Sequence, residues 1–205
     1  MSYKLPSLLY EYSDLEPFFD TKTMEIHHQK HHQNYINNTN LILNKNNIKD
    51  IKINKLIANL DKLSIPSSQK NFLRNNAGGH ANHSFFWKIL KKNTQPNNII
   101  LNILKKEFSN LENFKKRFEK KALNFFGSGW IWLVKKKNIL KIITTINQDN
   151  PLMNNNDISI DIPIIGLDLW EHAYYLKYQN QKNLYLKAFW NVLNWDKITQ
   201  LLLDK

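Results

Sequence analysis

Seven histidines carry most of the chemistry open to this 205-residue chain, and they fall in three places. His27, His28, His31 and His32 lie within MEIHHQKHHQNY. His80 and His83 lie within NNAGGHANHSFFW, and His172 follows Asp168 in GLDLWEHAYY. With no cysteine in the chain, any bound metal must be held by nitrogen and oxygen. Several neutral imidazoles with one carboxylate are a donor set that iron or manganese accepts in a redox site. Zinc is a poorer match, because nothing here resembles the HExxH helix. Plainer readings exist for the same residues. The first cluster also suits a polar helix face or core imidazoles with hydrogen-bonded partners, and a metal is only one of the partners a buried imidazole can take. Asp168, ending an apolar run beside Trp170, is costly to bury unless it is paired or bound to a cation. Spacing alone does not bring three distant clusters together.

The elements that must position these residues can be read from periodicity. Residues from about Thr21 to Lys45 carry no proline or glycine and place Met24, His27, His31 and Tyr35 on one helical face. A second helix is expected near Ile53 to Leu63, and a third from about Ser68 to Lys91, interrupted at Gly78 and Gly79. KKNTQPNN, Lys91 to Asn98, is polar, contains proline and is the best linker candidate. Helices near Ile99 to Phe108 and Asn110 to Phe126 follow, the latter with a capping-box start in Ser109 and Glu112. Two strands, Trp130 to Val134 and Ile139 to Ile146, flank a lysine-rich turn. After an Asn- and Asp-rich loop, PIIGLDL reads as a third strand, and the remainder reads as helical. The expected fold is α+β: a helical N-terminal domain over 1–92 and an α+β domain over 93–205.

A chain of this length can bury roughly 70% of its unfolded surface and needs no external staple. The net charge of +12 first suggests nucleic acid. However, the basic residues are lysines except for Arg74 and Arg117 and are spread along the chain, so the side chain best suited to reading guanine and clamping phosphate is nearly missing. No nucleic-acid partner is expected. MSYKLPSLLYEYSDLEP lacks the charged start and apolar run of a signal peptide, and no stretch approaches the ~20 apolar residues of a membrane span. A soluble cytoplasmic protein without a membrane partner is expected.

MEIHHQKHHQNYINN, NNAGGHANHSFFWK, FGSGWIWLV, NQDNPLM and GLDLWEHAYYLKYQN resemble the manganese/iron superoxide dismutase family, and the resemblance runs nearly end to end. It implies a homodimer whose subunits each carry an N-terminal helical hairpin and a C-terminal three-stranded antiparallel sheet covered by helices. It implies metal ligands at His27, His83, Asp168 and His172, with solvent as a fifth ligand. His31 falls at a gateway position near the dimer interface, and Tyr35 at the tyrosine of the substrate channel. Gln148 matches the glutamine that tunes the metal's solvent in the manganese type, with Gly79 leaving room for it, so manganese is the expected cofactor and iron the alternative. Glu171 is expected to cross a two-fold interface to the partner's equivalent of His172, and Tyr175 to meet the partner's His31. His28, His32 and His80 take structural roles in this mapping.

The activity implied is dismutation of superoxide to oxygen and hydrogen peroxide by alternating one-electron steps. One carboxylate with three neutral imidazoles suits it, because an electron and a proton can arrive together and leave the buried charge unchanged. Trp87, Trp130, Trp132 and Trp170 are expected to wall the site. Lys30 and Lys182 are expected to guide the superoxide anion. Lys182 stands where the family usually has arginine, keeping the charge but not the planar fork. The rivals are a basic nucleic-acid-binding protein with a structural metal, and an iron oxygenase with two histidines and one carboxylate; a third histidine speaks against the oxygenase.

Overall fold

The computed structural model describes residues 2–49, 51–137, 139–153 and 161–204. Asp20 opens the first helix, its side chain accepting from the Thr23 amide at 2.8 Å. The chain then runs through α1 (Thr21–Ile26), a π-helical turn (His27–His32) and α2 (Gln33–Lys45), with helical backbone at each junction. The π turn was not expected from the sequence. Such wide turns are rare and concentrate at functional sites; this one falls on the histidine run. α3 (Ile53–Ile57) and a 3-10 turn (Leu60–Lys62) lead to α4 (Ser67–Lys88).

The expected interruption of α4 at Gly78 and Gly79 does not occur. The helix passes through both, although glycine costs about 1 kcal/mol in a helix interior. Packing explains why. A Cβ at Gly78 would collide with the Gln148 backbone, and one at Gly79 would come within 2.6 Å of the Tyr35 ring. α5 (Asn98–Phe108) ends at Ser109 in the left-handed region, φ 73°. The next helix, α6 (Leu111–Leu123), is therefore capped not by Ser109 but by Asn110, whose side chain accepts from the Asn113 amide at 2.8 Å.

The sheet has the order β2–β1–β3, with β1 (Gly129–Lys136) antiparallel to β2 (Ile139–Ile146) and to β3 (Ile162–Asp168). Central β1 is buried from Gly129 to Val134. Trp132 pairs in register with Gly166, where the missing side chain leaves room for the indole. Of the expected Asn- and Asp-rich loop, residues 154–160 lie outside the described residues. Beyond β3 come a 3-10 turn (Glu171–Ala173), α7 (Tyr175–Tyr178), α8 (Lys182–Val192) and α9 (Trp195–Leu203). The C-terminal stretch is thus helical in pieces, broken at Gln179 with φ 49°.

Two apolar clusters hold the fold. Ile42, Leu43, Leu56, Ile57, Leu60 and Leu73 join α2, α3 and α4. The larger cluster joins the sheet to α5, α6, α8 and α9, and takes Phe86, Trp87, Ile89 and Leu90 from the end of α4. α4 therefore belongs to both cores. The linker is pinned as well: the Lys91 amide donates to the Val192 carbonyl at 2.7 Å, and the Asn194 amide to that of Ile89 at 2.8 Å.

Candidate metal centre

Three elements deliver the polar side chains of the centre. The π turn supplies His27, α4 supplies His83, and the end of β3 with its following turn supplies Asp168 and His172. Asp168 is fixed by its register opposite Trp130. The Trp170 amide donates to its Oδ1 at 2.9 Å. Its Oδ2 faces three imidazole Nε2 atoms: His27 at 3.1 Å, His172 at 3.3 Å and His83 at 3.5 Å. One ligand atom from each of the four residues lies within 4.8 Å of all the others. Of the four, only His172 is open to solvent, with 14% of its side chain exposed against 2% or less for the rest.

Hydrogen bonds alone do not satisfy this cluster. His83 Nδ1 lies 2.6 Å from the Gly79 carbonyl, which can only accept, so the proton sits on Nδ1 and Nε2 presents a lone pair. That lone pair lies 2.9 Å from His27 Nε2, which also faces Asp168 Oδ2. A single His27 proton cannot serve both. Among the described residues, the buried His172 Nε2 has no hydrogen-bond partner. Burial lowers the His27 imidazole to about 4, against the opposing hydrogen bond that it donates to Asp168, and lowers His83 well below its ordinary value. Burial would raise the Asp168 carboxyl, but the imidazoles of His172 and His27 outweigh it and hold the group below the usual carboxylate range. The result is one buried carboxylate facing three imidazoles, of which His27 and His83 are held uncharged and offer more lone pairs than protons. A cation fits that set, and three nitrogens with one oxygen suit a divalent or trivalent first-row metal.

The other sequence-predicted residues arrive around the four. The His31 ring stacks on that of His172 at 4.1 Å and 12°. Gln148 is buried, and its Nε2 donates to the Tyr35 hydroxyl at 2.9 Å. Burial, aided by the Asp168 charge, raises the Tyr35 phenol well above its ordinary value, so it stays protonated at neutral pH. Trp87, Trp130 and Trp170 flank ligand rings at 4.9, 5.3 and 5.7 Å. Trp132 stacks on Trp130 and so lies one ring behind the wall. The room at Gly79 is taken by the Tyr35 ring rather than by Gln148; it is Gly78 that the Gln148 backbone approaches. Lys30 is exposed. Lys182 is half-buried, with its Nζ 3.5 Å from the Phe125 carbonyl.

Several contributors were not found in the sequence. Asn82 donates to the Gln148 carbonyl at 3.1 Å and to its Oε1 at 3.3 Å. Trp130 Nε1 donates to the same Oε1 at 3.0 Å. Asn82 Oδ1 accepts from Asn150 at 2.7 Å. An available signal was the four-residue spacing of Arg74, Gly78 and Asn82. The remaining histidines form a separate net. Trp87 Nε1 donates to His32 Nδ1 at 3.0 Å, and His32 Nε2 lies 2.8 Å from His80 Nδ1. His28 spans Tyr12 and the Pro6 carbonyl, each at 2.9 Å.

The profile of the iron/manganese superoxide dismutases matches twice, as the alpha-hairpin domain over residues 2–91 and as the C-terminal domain over residues 96–201. The chain belongs to the iron/manganese superoxide dismutase family. Similar members include superoxide dismutase [Mn] of Buchnera aphidicola subsp. Acyrthosiphon pisum (strain APS), 54% identical over 98% of this chain and 99% of the relative. The enzyme of the same name from Buchnera aphidicola subsp. Baizongia pistaciae (strain Bp) is 58% identical over 97% of this chain and 96% of its own length. That of Escherichia coli (strain K12) is 52% identical over 96% of both chains. Family membership agrees with the four-residue cluster and with the helical hairpin followed by a three-stranded sheet.

Proposed function

We infer that the chain catalyses superoxide dismutation with a manganese ion held by His27, His83, Asp168 and His172. The observation that carries this reading is the convergence of four ligand atoms on one buried point, where His172 Nε2 has no hydrogen-bond partner among the described residues. The relatives' names support manganese over iron. When bound, the metal supplies the one-electron exchange that oxidises one superoxide to oxygen and reduces a second, with two protons, to hydrogen peroxide.

The protein's part is binding, exclusion of water and supply of a proton. His83 is locked in the metal-binding tautomer by Gly79, as such ligands usually are by a partner on the other nitrogen. The indoles of Trp87, Trp130 and Trp170 confine the site to small species. Tyr35 keeps its proton and is held by Gln148, which places a donor beside the ligand rings, the Tyr35 and His83 centroids being 5.2 Å apart. His31, stacked on the one ligand that reaches solvent, stands at the entrance. Lys30 and Lys182 contribute to the positive field that draws in the anion.

The active unit in this reading is a homodimer. Glu171 is exposed, with no hydrogen bond or ion pair to its side chain among the described residues, and Tyr175 and Phe126 are 49% and 100% exposed. A two-fold partner would cover such groups and give Glu171 a ligand imidazole to orient, with His31 and Tyr175 at the same interface. Among the described residues, no helix is long and apolar enough to cross a membrane. A cytoplasmic protein without nucleic-acid or membrane partners, divided into domains over 1–92 and 93–205, completes the proposal. Metal analysis and a superoxide-consumption assay on the same preparation test it; a metal-loaded protein that leaves superoxide untouched would refute it.

A further inference from the structure

Helix α4 places Arg74, Gly78 and Asn82 four residues apart, hence on one face. All three meet the short turn, residues 147–150, that leaves β2. Arg74 grips one end: its Nε and Nη2 donate to the two carboxylate oxygens of Asp149 at 2.7 and 2.9 Å. In the middle, the Gln148 carbonyl lies so close to Gly78 that a Cβ there would collide with it. Asn82 closes the grip, donating to that carbonyl and to the Gln148 side-chain oxygen. The turn's own backbone bonds, from the Asn147 amide to the Ser128 carbonyl at 2.8 Å and from the Asp149 amide to the Ile146 carbonyl at 3.0 Å, complete the grip.

We propose that Arg74 is a positioning residue for Gln148: its bidentate pair with Asp149 sets the distance from the Gln148 carboxamide to the Tyr35 hydroxyl. The inference rests on the roles given to Gln148 and Tyr35 above. The geometry is specific. The planar guanidinium fork matches both carboxylate oxygens, which a lysine cannot do, and Arg74 is one of only two arginines in the chain. The pair is also partly open to solvent, at 40% and 21% side-chain exposure, and pairs so exposed contribute little to folding. Removing it therefore spares the fold while releasing the Asp149 side chain and loosening that end of the turn. Trp130 still holds the Gln148 oxygen, so the expected change is a shift of the carboxamide nitrogen away from Tyr35 rather than loss of the side chain from the core.

The test uses the manganese-loaded protein and three variants, Arg74→Gln, Arg74→Lys and Gln148→Ala. Superoxide consumption per bound manganese, the thermal midpoint and a crystal structure are measured for each. Arg74→Gln should bind manganese fully and melt near the wild type. It should lose about 10-fold in rate, the lower end for losing an outer hydrogen-bond partner. Its structure should show Gln148 Nε2 beyond about 3.5 Å from the Tyr35 oxygen, outside hydrogen-bond reach. Arg74→Lys should recover part of both. If Arg74→Gln keeps the distance and the rate while Gln148→Ala is impaired, the positioning role is overturned and the reading of Gln148 stands. If Gln148→Ala is fully active, that reading falls and takes this inference with it. A lowered midpoint with unchanged rate per metal would make Arg74 a stability residue only. Should Arg74→Gln fail to fold, Asp149→Asn removes the same charge pair with little change in shape and is held to the same outcomes.

Discussion

The Gln148 carboxamide donates to the Tyr35 hydroxyl at 2.9 Å across 113 residues of sequence, joining the turn after β2 to helix α2. That bond needs two absences on α4. The Tyr35 ring fills the space a Cβ would take at Gly79, and the Gln148 backbone fills that at Gly78. The Tyr35–Gln148 contact is therefore built against two glycines whose missing side chains make room for it.

Replacing Tyr35 with Phe keeps the ring on Gly79 and removes only the hydroxyl. Manganese content should be unchanged and the rate about 10-fold lower, as for loss of an outer hydrogen-bond partner. The variant should also resist alkali better. The folded phenol is raised, so its stabilising effect is complete below the unfolded value, about 10, and is lost as pH rises beyond it. Denaturant midpoints between about pH 10 and 12 should fall less steeply in Tyr35→Phe than in the wild type; parallel curves would reject the assignment.

His32 and His80 are expected to govern stability rather than metal retention. His32→Ala strands the Trp87 indole donor and opens a buried void, at a cost of about 3 kcal/mol with manganese retained. Burial, with the Lys88 charge a smaller cause, lowers His80 to about 4. The unfolded imidazole then gains a proton that the folded one refuses, so stability falls as pH drops from about 6.5 toward the folded value. At fixed manganese content, His80→Asn should flatten that part of the acid limb, and an unchanged slope would contradict it.

Glu171→Ala removes both copies of a bridge if the molecule is a two-fold dimer. Weaker association, lower manganese content and a lower rate should appear together. Sedimentation, metal analysis and an assay on this one variant decide the matter; a stable dimer with full metal and normal rate would leave Glu171 as a surface residue.

Steering by the net charge of +12 should be visible in salt. Under substrate-limited conditions the rate should fall as ionic strength rises past about 0.15 M, where the Debye length is near 8 Å. Lys30→Gln and Lys182→Gln should each flatten the curve. A rate independent of salt would remove these lysines from the mechanism.

Much of the centre was legible because its residues are rare types in short runs. His27, His83, Asp168 and His172 are named by the motifs around them, and the strands by their short apolar runs and flanking turns. What escaped depends on packing between distant segments. Helix periodicity cannot reveal that α4 continues through Gly78 and Gly79, because the atoms that compensate belong to Tyr35 and Gln148. The π turn at His27–His32 leaves no compositional mark, since all its residues suit an ordinary helix. Ser109 looked like a cap, but its positive φ ends the preceding helix and hands the cap to Asn110. Arg74 and Asn82 read as ordinary helix residues until the turn they hold is seen.

The most direct test of the central claim is superoxide consumption per chain, with metal content determined on the same sample, after the apoprotein is reconstituted separately with manganese and with iron. The account predicts catalysis by the manganese form, and His83→Ala treated identically should retain neither metal nor activity. An inert manganese-loaded protein, activity confined to the iron form, or a His83→Ala variant with the metal content of the wild type would contradict it.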